Sequence, residues 1–131
     1  MQPLKNTGRI LIDANVLLRF LLNDNEKQAN EAKEVISGGS CVLLPEVLAE
    51  VVYVLSKVYG IDRDDISASI KKVLSRMHID NYPVMEKALD NYEFKKLDFV
   101  DCILLAHNRT ENSSVFTFDK ELGKKLAGEK S

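Results

Sequence analysis

The sequence contains no Trp, three Pro and six Gly. So little Pro and Gly excludes collagen-like and low-complexity chains. Cysteine is scarce too, with Cys41 and Cys102 alone, far apart and each inside an apolar run. Such cysteines read as buried free thiols of a reducing compartment. A disulfide would require secretion, and no secretion signal is apparent. The apolar stretch Ile10–Leu22 is interrupted by Asp13 and Arg19, so it is neither a clean signal core nor a membrane span. A soluble, cytoplasmic protein is the expectation. There are two His and no CxxC pair, which disfavours a zinc site. Charge of one sign is also lacking: 18 Lys plus Arg against 20 Asp plus Glu give a net −2. That balance does not advertise a nucleic-acid binder, although a local basic patch can serve where the sum is near zero.

What is present is an ordinary globular mix, 45% hydrophobic and 29% charged over 131 residues. This length suits one domain, taken as residues 1–131 with a frayed tail at 127–131. Ile10–Ile12 reads as a short strand buried on both faces. Val16, Leu17, Phe20 and Leu21 then recur at helical spacing, and Asn25–Ile36 is a second helix stopped by Gly38-Gly39. Cys41–Leu44 is the next strand, and Pro45 opens a helix whose inward stripe is Val47, Val51, Val54, Leu55 and Val58. Asp62 or Asp64 caps a helix facing inward with Ile66, Ile70, Val73, Leu74 and Met77. A very short strand at His78–Asp80 follows, then helices over Pro83–Tyr92 and Asp98–Asn108. Ser114–Phe118 is expected as the last strand and Lys120–Leu126 as a last small helix. Strands alternating with helices imply βαβ units, a mainly parallel sheet and helices on both of its faces.

Open parallel sheets bind ligands beyond the carboxyl ends of their strands. Asp13 and Asp119 follow the first and last expected strands. Each is equally explained as a helix N-cap. Asp101 stands in Phe99-Val100-Asp101-Cys102-Ile103-Leu104-Leu105-Ala106, a helix apolar nearly all round. A carboxylate there has to be paired, protonated or bound to a cation. The alternative is a capping box, with Asp98 at the cap and Asp101 reaching back to a free backbone N–H. Glu50 falls at the edge of its helix's apolar stripe, where solvated acids are common. As a set, converging carboxylates repel unless a cation neutralises them. Oxygen-only donors select a hard ion such as Mg²⁺ or Mn²⁺, which typically serves phosphate chemistry.

The order of these acids carries a resemblance. Ile10-Leu11-Ile12-Asp13-Ala14-Asn15, Leu48-Ala49-Glu50-Val51, Asp98-Phe99-Val100-Asp101 and Thr117-Phe118-Asp119 resemble the successive signatures of PIN domains. The resemblance implies a three-layer α/β/α fold with a central parallel sheet of about four or five strands, and metal-dependent ribonuclease activity. A chain that is nearly all PIN domain is similar to the VapC toxins of VapBC-type toxin–antitoxin pairs, which cut RNA, form homodimers and are silenced by an antitoxin protein. By the same resemblance Asp13 and Asp101 would be the direct Mg²⁺ (or Mn²⁺) ligands. Glu50 and Asp119 would complete the site or hold a second ion. Asn15 and Thr117 would orient carboxylates or water, and Asp98 is either a neighbour of the site or only a cap. Lys95, Lys96, Lys120, Lys124 and Lys125 form either a basic rim for RNA or a solvated face. The aliphatic runs Val16–Leu22 and Val47–Val58 offer surplus surface for a dimer or antitoxin groove. A haloacid-dehalogenase-like phosphatase would want Asp where Asn15 stands. A receiver domain would want its phosphorylated Asp after a middle strand and a Lys after the last, whereas Asp13 follows the first strand and Asp119, then Lys120, the last. The rival from another class is a PIN-like module that binds RNA or protein without cutting; a housekeeping nuclease is the other alternative.

Overall fold

The computed structural model describes residues 8–128. The chain runs β1 (Ile10–Leu11), α1 (Ala14–Leu22), α2 (Glu26–Ser37), β2 (Cys41–Leu43), α3 (Pro45–Lys57), α4 (Arg63–Leu74), β3 (His78–Ile79), α5 (Tyr82–Phe94), α6 (Phe99–Glu111) and α7 (Lys120–Leu126). The strands lie in the order β1-β2-β3, all parallel, with Ile10 opposite Cys41 and Val42 opposite His78. Cys41, Val42 and Leu43 are all buried. Successive strand residues face opposite ways, so both faces of the sheet are covered at β2.

Local signals set the boundaries. Asp13 Oδ1 accepts the Val16 N–H at 3.0 Å, and Asn25 Oδ1 accepts the Gln28 N–H at 3.0 Å, so both are N-caps. Pro45 opens α3, where its missing N–H costs nothing. Gly39, at φ 80°, turns the chain out of α2 into β2, a conformation that suits a residue without Cβ. Asn23 and Asn112 close α1 and α6 in the left-handed region.

The core is one continuous cluster. The whole expected stripe of α4, from Ile66 to Met77, is buried. Two buried polar side chains stitch helices together: Ser67 Oγ donates to the Leu89 carbonyl at 3.2 Å, and Asn91 Nδ2 to the Cys102 carbonyl at 3.3 Å. Cys41 and Cys102 are buried and unbridged. Burial pushes the Cys102 thiol up to about 12. No described helix is long and apolar enough to cross a membrane.

The sheet is smaller than expected. Ser114–Phe118 joins no ladder among the described residues, so three strands stand where four or five were anticipated. Period-two alternation supplies the reason. Val115 and Thr117 are half-buried, whereas Phe116 and Phe118 are 85% and 91% exposed, their rings stacked edge-to-face 5.1 Å apart. One valine and one threonine give the inner face little to bury, and the two-residue β1 presents a short edge to pair with. For the same reason Leu11 on that edge is 62% exposed, against the expectation of a strand buried on both faces. Val58 also leaves the expected stripe: α3 ends at Lys57, and the buried face is Leu48, Val51, Val52 and Leu55. On α6 the burial is one-sided, since Val100 and Leu104 are exposed. Of the anticipated frayed tail, Ala127 and Gly128 form a hydrogen-bonded turn closing α7; residues 129–131 lie outside the described residues.

Because Phe116 and Phe118 bury so little, the double variant Phe116→Ser, Phe118→Ser should melt within about 0.5 kcal/mol of the parent. A loss of about 3 kcal/mol or more, as for a deleted core aromatic, would put this segment in the sheet.

Candidate metal centre

Asp13 lies two residues beyond the carboxyl end of β1, exposed, with Oδ1 held by the first turn of α1. Asp119 mirrors it at the start of α7: its Oδ1 accepts the Leu122 N–H at 2.8 Å. The capping role of both is therefore realised, and it occupies one oxygen of each carboxylate. Thr117 Oγ1 accepts the Asp119 backbone N–H at 3.0 Å and fixes the approach to that residue. Glu50 lies in the second turn of α3, exposed and without a partner among the described residues. Asn15 is exposed and lines a groove of about 350 Å³ between β1, α1 and α2.

Asp101 differs from the rest. It sits half-buried in the first turn of α6 and makes no hydrogen bond or ion pair among the described residues. Burial, then the like charges of Asp119 and Asp98, raise its pKa above the ordinary carboxylate value. The capping-box alternative is not formed: Asp98 occupies the N-cap position of α6 but its side chain makes no cap hydrogen bond. Both acids instead border a cleft of about 380 Å³ between α3 and the start of α6.

The structure thus brings Asp119 and Asp98 near enough to Asp101 for their charges to act on it. The elements carrying the four acids form a chain of contacts, α1 on α3, α3 on α6 and α6 on α7. The four do not close into a tight cage. Among the described residues, Asp62, Asp64 and Asp65 at the start of α4 are the trio whose carboxylate oxygens all lie within 4.8 Å of one another. All three are exposed, and Asp64 Oδ1 is engaged by the Asp65 N–H at 2.9 Å. Of the three, the sequence pattern offers Asp62 or Asp64 as the cap of α4; Asp62 takes the N-cap position, without a side-chain cap hydrogen bond.

A hard divalent cation fits the donor set around Asp101. The donors are carboxylate oxygens, Asp119 keeps one oxygen outside its cap bond, and the like charges of Asp119 and Asp98 on Asp101 are of the sign that a cation offsets. Mg²⁺ typically retains several waters and takes one or two protein carboxylates, so an open arrangement suits it.

Arg63 is the site residue that sequence reading missed. Its Nη1 donates to the Tyr92 and Leu97 carbonyls at 2.9 and 2.7 Å, and its guanidinium lies 4.2 Å from the centre of the Tyr92 ring. Tyr92 in turn meets Phe99 edge-to-face at 5.8 Å. Arg63 therefore pins the segment leading into α6, and with it the position of Asp98 and Asp101. Of the candidate basic rim, Lys96, Lys120 and Lys124 are exposed, Lys124 standing 3.9 Å from Glu121, while Lys95 and Lys125 are half-buried.

The PIN domain family model matches residues 10–127. The chain is similar to the VapC ribonuclease of Aquifex aeolicus (strain VF5), 29% identical over 99 residues that cover 71% of this chain and 73% of that protein. No solved structure matches. Covering nearly all of the described fold, from β1 to the turn after α7, the match shows that the chain belongs to the PIN domain family.

Proposed function

We propose that the protein is a metal-dependent endoribonuclease and the toxin of a VapBC-type pair, acting in the cytoplasm as a homodimer until an antitoxin protein covers it. The observation that carries the reading is Asp101: a half-buried carboxylate with no partner among the described residues, bordered by two further acids, in a PIN-family chain. The similarity to a VapC ribonuclease supports RNA as the substrate and an antitoxin as the partner.

Asp13 and Asp101 would hold a Mg²⁺ or Mn²⁺ ion, with Glu50 and Asp119 completing its surroundings. The ion would supply a water acidic enough to attack at neutral pH and would offset charge on the phosphoryl oxygens. The chain's own part is orientation and proton handling. Asp119, whose Oδ2 is free of the cap bond, and Glu50, whose carboxylate is exposed, would orient the attacking water, and either could take its proton. Thr117 keeps Asp119 in place, and Asn15, next but one to Asp13, has the same supporting task. Single-stranded or looped RNA is the expected substrate, because its backbone can enter an open site that a duplex cannot. The resemblance to PIN nucleases implies departure of the 3′-oxygen, leaving 5′-phosphate and 3′-hydroxyl ends.

Incubation of the protein with single-stranded RNA and Mg²⁺ or Mn²⁺ should give cleavage that EDTA suppresses by about a hundredfold or more and that added metal restores. Cleavage indifferent to EDTA would refute the metal role. RNA retained on a filter but never cut would establish the non-catalytic alternative.

A further inference from the structure

The cleft beside Asp101 contains more than the acidic site needs. Besides Asp98 and Asp101 it is lined by Tyr53, Ser56, Lys57 and Arg63. Tyr53 is 63% exposed, a large aromatic surface left open on the second and third turns of α3. Lys57 is exposed and has no ion-pair partner among the described residues. Along α3, Glu50, Tyr53 and Lys57 stand at spacings of three and four. At about 100° per residue they share one stripe, the last two separated by about one turn, or roughly 6 Å of rise. The stripe therefore reads acid, aromatic ring, cation, and its last two members line the cleft.

We propose that this cleft is a nucleotide subsite that takes one nucleotide of the single-stranded RNA beside the scissile phosphate, its base stacked on Tyr53 and its phosphate held by Lys57. The inference rests on the nuclease reading above. A volume of about 380 Å³ is at the small end of ligand sites and suits one ring system and its sugar. Exposed aromatic faces beside cations are what single-stranded nucleic acid requires, since every base has a π-face and every linkage a charge. The cleft is also polarised. Asp98 and Asp101 lie at its α6 side, where Arg63 is hydrogen-bonded to the neighbouring Leu97 carbonyl, while Lys57 stands in the last turn of α3. A non-scissile phosphate is repelled from the two carboxylates and drawn to Lys57. Arg63 contributes field rather than direct contact, because Nη1 and one guanidinium face are already committed.

The test is steady-state cleavage of a labelled single-stranded RNA by the intact protein and by Tyr53→Leu, Tyr53→Phe and Lys57→Gln. It is paired with RNA binding in an Asp13→Asn background, with light scattering and with thermal melts. Tyr53→Leu should raise KM, and weaken RNA binding, about tenfold with kcat nearly unchanged, while Tyr53→Phe retains the parent values. Lys57→Gln should lower the salt dependence of binding by somewhat under one unit of slope. If the parent cleaves and all three variants match it, the subsite is overturned and the nuclease reading stands. A parent that neither cleaves nor binds RNA overturns both. RNA binding that depends on Tyr53 without any cleavage removes the nuclease and overturns the subsite as a neighbour of a scissile phosphate. A Tyr53→Leu protein that turns from dimer to monomer with unchanged KM makes this face a protein contact and overturns the subsite.

Discussion

Asp101→Asn should lower RNA cleavage by more than about a hundredfold while the metal-free protein melts at the same or a higher temperature. The first half follows from the proposed ligand role, since an amide oxygen is a poorer donor to a hard cation and carries no charge; loss of lesser supporting contacts at metal sites already costs about 10–100-fold. The second half follows from the raised pKa. Burial and the charges of Asp119 and Asp98 make the ionised form of Asp101 less favourable in the folded chain than in the unfolded one. A carboxyl shifted upward favours the fold when protonated, and that advantage is lost as pH rises from the ordinary carboxylate value through the folded one. At neutral pH without metal, the wild-type charge is thus a net cost to the fold that the neutral amide removes. Thermal melts at pH 4 and pH 7, with and without Mg²⁺, check both signs. A variant less stable at pH 7 without metal would show that Asp101 serves the fold instead.

Arg63→Met should be among the most destabilising changes at a residue that is not apolar. Two charge-assisted hydrogen bonds to backbone carbonyls and a cation–π contact are lost together. An expected cost of about 2–4 kcal/mol corresponds to a fall in Tm of roughly 6–15 °C. Arg63→Lys should rescue little, because one ammonium cannot reproduce a planar group that stacks on a ring and reaches two carbonyls. Cleavage should fall in both variants at temperatures where they remain folded, since the carbonyls Arg63 holds, at Tyr92 and Leu97, flank the start of α6. A melt within about 0.5 kcal/mol of the parent would show that the guanidinium is only surface decoration.

These two residues also mark what was legible in the sequence. Asp101 could be singled out because its constraint is local: a carboxylate among Phe99, Val100, Cys102 and Ile103 has to account for its charge. The same holds for the caps at Asp13 and Asn25, the Pro45 helix start and the α4 stripe, each written in a handful of adjacent residues. Arg63 could not be found in this way. Its partners lie 29 and 34 positions along the chain, and no local pattern encodes them. Ser114–Phe118 misled for a related reason. Its β-forming composition was plain, but whether a strand pairs depends on the neighbour's edge, and β1 offers only two residues. The capping-box reading of Asp98 failed on side-chain geometry, which spacing alone does not fix. Tyr53 and Lys57 did leave a signal, the stripe they share with Glu50, which becomes meaningful only once α3 is seen to pack on α6.

The arrangement of the helices bears on how quickly the chain finds its shape. The contacts of α1 with α2, α4 with α5, α5 with α6 and α6 with α7 all join neighbours along the chain. Loops of modest length close such pairs at small entropic cost. Distant segments meet chiefly in two short strand pairings and in the seating of α3 against α1 and α6. Low contact order of this kind places the search among the faster mixed α/β folders, in the range of milliseconds, with little time for half-made sheet edges to find one another.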